Sequence, residues 1–290
     1  MPGLTFPPFC DSHVHLGLAD IPAIVPGGIG RVLDLGWDPA VAVSWKAAHP
    51  ELLIDLAGPL LAAPGGYPLN AGWGPAAGTR EVPDAVAASS AIADLVGIGA
   101  RVAKITLNSE AGPVWDDELL GTVVTLAHDS GLPVVAHAQG AGQAERALDA
   151  GVDVLAHTPW TETLTDELLR RMAGRMAWIS TLDIHGWGAY GDDFARAMGN
   201  LERFAAFGGT VHYGTDLGNG PLPPGLNRRE LLALAGAGLT VPQILAALRG
   251  VLPPVPSART VSFIADAVTI DDLRIDDLLH AVVTTEEALA

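Results

Sequence analysis

The stretch DSGLPVVAHAQGAGQAERALDAGVDVLAH, residues 129–157, indicates the fold of the chain. Its two short apolar runs, residues 133–137 and 153–157, are typical of buried β-strands. Between them, residues 143–150 are typical of a helix, which Gly151 ends. A strand, a helix and a second strand in this order predict two parallel strands joined by a right-handed crossover.

The same alternation runs through most of the chain. Strands are predicted at residues 9–13, 31–35, 52–57, 101–107, 133–137, 153–157, 177–181 and 210–215. Helices are predicted at residues 41–48, 84–95, 116–129, 143–150, 166–173, 192–207 and 227–235. Eight such strands favour an α/β fold of the (β/α)8 TIM-barrel type, with an open doubly wound sheet as the structural alternative.

The domain division follows from where this alternation stops. At 290 residues the chain has the length of a single barrel. We predict a barrel domain at residues 1–252 and a short C-terminal appendage at residues 253–290, with one or two strands and an acidic helix. Residues 62–78 are rich in Gly and Pro and are too long for an ordinary connector, which predicts a functional lid or a mobile loop.

The charge and composition of the chain limit the partners and the compartment that we expect for it. The net charge of −17 argues against nucleic acid and against an anionic membrane surface. Residues 231–248 are uncharged, but a turn at residues 240–242 favours two short helices over a membrane span. Cys10 is the only cysteine and Arg31 the first basic residue, so we expect a reducing compartment, the cytoplasm, and no signal peptide. A homo-oligomer remains an open alternative.

Metal-ligand residues recur where predicted strands end. His13 and His15 are two residues apart, so they share one face of the first strand. His137 and His157 each close an apolar strand, and Asp216 closes another before a Gly-rich loop. In a barrel these strand ends form the catalytic face. Alone, each residue has an ordinary structural explanation; together they predict a metal site.

Lys104 lies within the apolar run Val102-Ala103-Lys104-Ile105-Thr106-Leu107. One interpretation is structural: the ammonium group is ion-paired inside the barrel or reaches water outside it. The other is chemical. Burial lowers the pKa of a lysine, and the neutral amine can react with carbon dioxide to give an anionic carbamate that bridges two cations.

These residues stand in motifs that resemble the amidohydrolase superfamily, and most of all its imidazolonepropionase-like and Xaa-Pro dipeptidase-like branch. Residues 9–16 (FCDSHVHL) resemble its first-strand motif. Residues 129–137 and 150–157 resemble its fifth and sixth strands, and residues 214–216 (GTD) its eighth. The resemblance covers about residues 9–250.

The resemblance implies a binuclear metal site. His13, His15 and Asp216 would bind one divalent ion, with zinc expected, and His137 and His157 would bind the other. Carboxylated Lys104 would bridge the two ions, and Asp216 would also carry a proton. The chain departs from that branch in beginning almost at the His-x-His strand, so we expect no N-terminal half of a β-sandwich, with residues 261–283 as a remnant of the C-terminal half.

The expected function is a hydrolase that uses a bridging hydroxide to cleave an amide, cyclic amide or ester (lactone) bond of a small molecule. The alternatives are a mononuclear deaminase, a metal-dependent decarboxylase, and a catalytically silent barrel with a binding role. Specificity in such barrels lies in the loops after the strands. The loop residues that we expect to contact substrate are Tyr67, Trp73, Arg80, Trp160, His185 and Tyr190.

Overall fold

The computed structural model describes residues 2–253 and 260–289. Its helices are α1 (Pro39–Ala48), α2 (Ala85–Gly97), α3 (Asp117–Asp129), α4 (Gln143–Asp149), α5 (Asp166–Ala173), α6 (Asp192–Ala206), α7 (Arg228–Gly236), α8 (Val241–Ala247), α9 (Ile275–Leu278) and α10 (Glu286–Leu289). Its strands are β1 (Gly3–Phe6), β2 (Cys10–Val14), β3 (Arg31–Asp34), β4 (Leu53–Leu56), β5 (Leu60–Ala62), β6 (Thr79–Glu81), β7 (Ala103–Asn108), β8 (Val134–Gln139), β9 (Val154–Leu155), β10 (Ala177–Ile179), β11 (Thr210–His212), β12 (Thr260–Ala265) and β13 (Val282–Thr285).

The eight predicted strands overlap β2, β3, β4, β7, β8, β9, β10 and β11, which pair in parallel in two sheets. β5 begins four residues after β4 ends and pairs with β7. β4 and β5 together therefore occupy the position of the third strand of the barrel. The seven predicted helices overlap α1 to α7. The chain therefore has the α/β fold of (β/α)8 type that the alternation predicts.

The first barrel strand, β2, is hydrogen-bonded to the segment that follows the last one, β11. Beyond β11, Tyr213 O accepts from Ser12 N at 2.9 Å, and Leu217 O accepts from His15 N at 2.7 Å. A parallel bridge between Val14 and Leu217 continues this contact. Because β2 also pairs with β3, it has bonding partners on both edges, as a strand inside a barrel wall does and an edge strand of an open sheet does not.

Side-chain caps explain where several helices begin. The carboxylate of Asp116 accepts from Leu119 N at 2.8 Å and starts α3, and the carboxylate of Asp84 accepts from Ala87 N at 2.8 Å and starts α2. The uncharged stretch at residues 231–248 is divided between α7 and α8, as predicted. None of the helices in the described ranges combines the length and the apolar character needed to cross a bilayer.

The structure adds a strand that the sequence did not predict. β1 pairs antiparallel with β12, which in turn pairs with β13. We expected no N-terminal half of a β-sandwich, and within the described residues the N-terminal contribution to this sheet is the single short strand β1. β1 was missed because four residues so close to the first barrel strand give too little periodicity. The division at residues 252 and 253 stays a prediction, and this sheet takes strands from both sides of it.

Gly214, in the segment after β11, packs closely against both β10 and β2. A Cβ atom at this position would lie 2.3 Å from Ile179 Cγ2 and 3.1 Å from His13 N. A side chain here would push β10 and β2 apart at the level of the histidines.

We predict that Gly214→Ala lowers the free energy of unfolding by about 1–3 kcal/mol, because the added methyl group overpacks this contact. Chemical denaturation of the two proteins measures the difference. Gly121→Ala is the matched control: Gly121 lies within α3 and a Cβ atom there would meet nothing within 4 Å. That substitution should stabilise the chain by up to about 1 kcal/mol through helix propensity. Equal stability of Gly214→Ala and the wild type would contradict the close approach.

Candidate metal centre

The six predicted ligands line one cavity of about 140 Å³. The structure brings together His13, His15, Lys104, His137, His157 and Asp216. They come from β2, β7 and β8 and from the first four residues after β2, β9 and β11. All six are buried. Residues distant in sequence therefore meet because parallel strands bring their C-terminal ends to one face.

Asp216 links the two histidines of the first strand. Its Oδ1 lies 3.1 Å from His13 Nε2 and 3.3 Å from His15 Nε2. Its backbone has φ of +59°, a left-handed conformation that is uncommon outside glycine but tolerated by Asp. The backbone bond from Asp216 N to His13 O, 2.8 Å long, and a bond from Asn219 Nδ2 to Asp216 Oδ2, 2.9 Å long, hold the carboxylate toward the histidines.

His157 and His137 complete the ring of imidazoles. The ring centroids of His13 and His157 are 4.6 Å apart, and those of His137 and His157 are 4.9 Å apart. One ligand atom each from His13, His157 and Asp216 lie within 4.8 Å of one another, which is close enough for one ion. The sequence predicted that the strand would end at His137, but β8 continues for two more residues, to Gln139.

Hydrogen bonds to one nitrogen orient three of the imidazoles. His13 Nδ1 lies 2.8 Å from Ala156 O, and His15 Nδ1 lies 3.1 Å from Gly36 O. Because a carbonyl oxygen can only accept, both rings carry their proton on Nδ1 and leave Nε2 free for a ligand. His157 Nδ1 is similarly 2.9 Å from the hydroxyl of Thr181.

The protonation states suit metal binding. Burial lowers the pKa of His137 to about 4 and holds the pKa values of His13 and His157 well below the usual histidine range. Burial opposes the ionisation of Asp216, but the adjacent His13 and His15 outweigh it and hold the pKa of Asp216 well below its usual value. Neutral imidazoles and an ionised carboxylate are the forms that bind a divalent cation. His15 is the exception: burial lowers its pKa, but Asp216 and Asp34 outweigh burial and raise the pKa of His15, so metal binding there would release a proton.

Lys104 is the exceptional group of the cavity. Its side chain is buried, and its Nζ atom has no hydrogen-bond partner within the described part of the chain. Burial lowers the pKa of Lys104 to about 7, although Asp216 partly offsets this effect. The amine is therefore neither ion-paired nor extended into water, and the structural interpretation of this lysine does not account for it.

The expected substrate residues divide into two groups. Tyr67, Trp73 and Trp160 line the cavity, and the His185 ring packs on Trp160 with centroids 5.0 Å apart. The other two lie elsewhere.

The structure does not bring Arg80 or Tyr190 to the cavity. Arg80 on β6 is ion-paired with Asp94. Tyr190 donates from its hydroxyl to Asp183 at 2.9 Å and stacks on Phe194. Both side chains are held by partners that the sequence did not reveal.

Gln139 and Asn219 also line the cavity, although the sequence analysis did not select them. Gln139 lies two residues after His137, and Asn219 lies three residues after Asp216. This closeness in sequence to a predicted ligand could have identified both as cavity residues. Gln139 Oε1 lies 3.1 Å from His137 Nε2 and accepts from Asn108 Nδ2 at 2.8 Å. These amides therefore continue the polar lining beyond the imidazoles.

We predict that Lys104→Met stabilises the metal-free protein near pH 7 by about 1–4 kcal/mol, because methionine fills the site without a buried amine. The pKa of Lys104 is lowered to about 7, below its value in the unfolded chain. Between pH 7 and about 10.5 the unfolded chain therefore binds a proton that the folded chain lacks, and stability rises with pH across this window. The Lys104→Met variant should lack this increase in stability with pH.

Denaturation of chelator-treated protein at several pH values measures both effects. Lys46→Met is the control, since Lys46 is exposed on α1. A Lys104→Met protein that is less stable than the wild type at pH 7 would show that the ammonium group is well accommodated.

Comparison with known proteins supports the fold. No protein-family model matches the chain, and no curated protein matches it. A solved Xaa-Pro dipeptidase with bound methionine has a TM-score of 0.74 at 19% identity, covering 97% of this chain and 85% of that chain. An amidohydrolase has a TM-score of 0.71 at 19% identity, with coverages of 98% and 85%.

A third solved structure, phenylurea hydrolase B, has a TM-score of 0.66 at 13% identity and covers 97% of this chain and 84% of that chain. At these identities the likeness establishes the architecture and leaves the chemistry to the site residues. The chain shares the fold of these solved structures, an α/β fold of the (β/α)8 type that the alternation of strands and helices predicted.

Proposed function

We propose that this protein is an amidohydrolase-superfamily enzyme with a binuclear metal site, which cleaves an amide, cyclic amide or ester (lactone) bond of a small molecule. One observation carries the proposal. The amine of Lys104 is buried in the same cavity as four imidazoles and a carboxylate, and no group in residues 2–253 or 260–289 forms a hydrogen bond with it. Such an amine is costly to bury, and a reaction that converts it into a ligand accounts for its position.

The residues present fit two divalent ions. His13, His15 and Asp216 would hold one ion, and His137 and His157 would hold the other, with zinc expected from the imidazole-rich donor set. Two bound ions would supply Lewis acidity and a bridging hydroxide near neutral pH.

Lys104 would bridge the ions after carboxylation. The neutral amine attacks carbon dioxide, an N–C bond forms, and loss of the amine proton leaves an anionic carbamate. The lowered pKa of Lys104, about 7, supports this chemistry because the neutral form is available at physiological pH. The carbamate would also provide the negative charge that two cations at one site require.

Asp216 would carry the proton. Its carboxylate is buried among the imidazoles and is ionised, so it can take a proton from the attacking water and donate it to the leaving nitrogen or oxygen. Asn219 orients this carboxylate by donating to Oδ2 at 2.9 Å. Tyr67 and Trp160 would exclude bulk water above it.

A single-ion enzyme is the second candidate. The three ligand atoms that lie within 4.8 Å of one another come from His13, His157 and Asp216, and three protein ligands suit one catalytic ion. This geometry favours a mononuclear deaminase or decarboxylase over the hydrolase only if Lys104 binds no metal. A silent barrel with a binding role would have no use for a neutral lysine among metal ligands.

We further propose a small-molecule substrate and a reducing compartment such as the cytoplasm, since the single cysteine cannot form an intrachain disulfide. The acidic net charge of −17 disfavours nucleic acid and anionic membranes as partners.

We predict that Asp216→Asn lowers kcat on any hydrolysed amide or ester by about 10²–10⁴-fold, because an amide cannot shuttle the proton. Asn tolerates the left-handed backbone at this position, so the fold should persist. Steady-state kinetics and circular dichroism on the metal-loaded proteins check the two effects.

Asp266→Asn is a matched control, since Asp266 also has φ of +59° but is exposed in the C-terminal part of the chain. Its kcat should equal that of the wild type. If Asp216→Asn retained wild-type turnover, the proton-transfer role would be excluded.

A further inference from the structure

Thr181, the second residue after β10, has an unusual backbone conformation. Its φ is +42°, in the left-handed region that glycine favours. A β-branched residue rarely adopts this conformation, because its Cβ atom crowds the neighbouring carbonyl group. Such strain persists only where the surrounding structure imposes it, and it is found most often at functional sites. Thr181 is buried, so its surroundings are protein groups that can be named.

The side chain of Thr181 contacts a predicted metal ligand. Its Oγ1 lies 2.9 Å from Nδ1 of His157, which leaves Nε2 as the nitrogen available to an ion in the cavity that His157 lines. Backbone carbonyl groups hold the rings of His13 and His15 in the same way. The ring of His157 is held by a hydroxyl group instead, so its orientation depends on the conformation of Thr181.

Hydrogen bonds on both sides of Thr181 hold its backbone. Thr181 N donates to Gly214 O at 3.0 Å. The next two amide groups donate to one carboxylate, that of Glu230 on α7: Leu182 N lies 3.0 Å from Oε1, and Asp183 N lies 2.8 Å from Oε2. Successive N–H groups in a turn conformation form a concave site for an anion, and here the carboxylate of Glu230 occupies it.

Glu230 does not serve its own helix in the usual way. It is the third residue of α7, where a glutamate often accepts from the backbone N–H of the N-cap residue. Here that group, Asn227 N, donates to the hydroxyl oxygen of Tyr213 at 2.8 Å. Glu230 is fully buried, which is costly for a carboxylate, and its two oxygens accept from the loop after β10.

The start of α7 is fixed to the same loop by a second set of hydrogen bonds. Arg229 Nε donates to both carboxylate oxygens of Asp183, at 2.8 and 3.0 Å, and Asn227 Nδ2 donates to Oδ2 at 2.7 Å. Glu230 directly follows Arg229 in the helix. Its carboxylate is therefore presented to the loop by a helix end that is itself anchored there.

From these contacts we infer that Glu230 is a positioning residue of the metal centre: its carboxylate imposes the left-handed backbone of Thr181, and the hydroxyl of Thr181 orients His157 with Nε2 toward the cavity. The inference rests on the proposed function in taking His157 as a metal ligand. A glutamine at position 230 would keep one acceptor but turn an NH2 group toward the second amide, so it could not hold both amides.

The protonation of the His157 ring in the metal-free protein tests this inference. Long-range 1H–15N NMR spectra of protein labelled with 15N-histidine show which ring nitrogen carries the proton, and the His157→Gln variant assigns the signal. Burial raises the pKa of Glu230 to about 7, so spectra recorded near pH 8.5 observe the ionised carboxylate. The wild type should carry the proton on Nδ1, where the hydroxyl oxygen of Thr181 accepts it.

Glu230→Gln should move much of the His157 proton to Nε2, although the residue that touches the ring is unchanged. Thr181→Val, which removes the hydroxyl, should do the same, whereas Thr181→Ser should keep the wild-type signal. Glu230→Asp is a second variant at this position: it keeps the charge but is too short to reach both amides, and it decides the question if Glu230→Gln does not fold. Glu202→Gln is the matched control, since Glu202 is exposed on α6.

Titration with zinc gives a second measure of the positioning. Glu230→Gln should weaken the binding of one zinc ion by about 10–100-fold, as the loss of groups that orient metal-bound histidines does. Glu202→Gln should bind zinc as the wild type does. A wild-type His157 signal in both Glu230 variants, or a wild-type ring protonated on Nε2, would overturn the inference.

These measurements separate the inference from the proposed function. If the protein hydrolyses amides or esters, and both Glu230 variants leave the His157 signal and the zinc affinity unchanged, the inference is wrong and the proposed function stands. If Glu230→Gln moves the His157 proton but neither protein binds zinc, the positioning of the ring by Glu230 is supported and the proposed function fails.

Discussion

The pairing of β2 with the segment that follows β11 is the constraint on which the site depends. The backbone bonds from His15 N to Leu217 O and from Asp216 N to His13 O join two segments separated by about two hundred residues. Gly214 permits this approach because the position leaves no space for a Cβ atom. Without this contact, Asp216 would not lie between the two histidines.

Burial then sets the chemistry of the groups that this contact assembles. It keeps His137 and His157 neutral and makes Lys104 a free amine near physiological pH, whereas the histidines around Asp216 keep that carboxylate ionised. The same low dielectric surroundings would strengthen the attraction between these ligands and a divalent ion. The hydrogen bonds to Ala156 O and Gly36 O fix which imidazole nitrogen faces the cavity. One cavity therefore combines neutral donors, an anion and a reactive amine.

The sequence predicted the barrel and the cluster of metal-ligand residues because both follow from local patterns. Strand periodicity places His13, His137 and His157 at strand ends, and the parallel topology brings those ends together. The roles of loop residues depend on tertiary partners that no local pattern contains. Tyr67 and Trp73 reach the cavity.

Arg80 does not reach the cavity, because Asp94 on α2 pairs with it. β1 was missed for a related reason. Four residues are too few to show an alternating pattern, and they form a strand because they can hydrogen-bond to β12. The sequence therefore predicted the residues that regular strands position, and it missed those that single long-range contacts position.

The most direct test of the binuclear site is elemental analysis of protein purified without chelators, or reconstituted with zinc and bicarbonate. The account predicts about two divalent ions per chain, held by the imidazoles, Asp216 and carboxylated Lys104. About one ion per chain would favour the mononuclear alternative and return Lys104 to a structural role. No bound metal after reconstitution would contradict the account and favour a barrel that binds without catalysing.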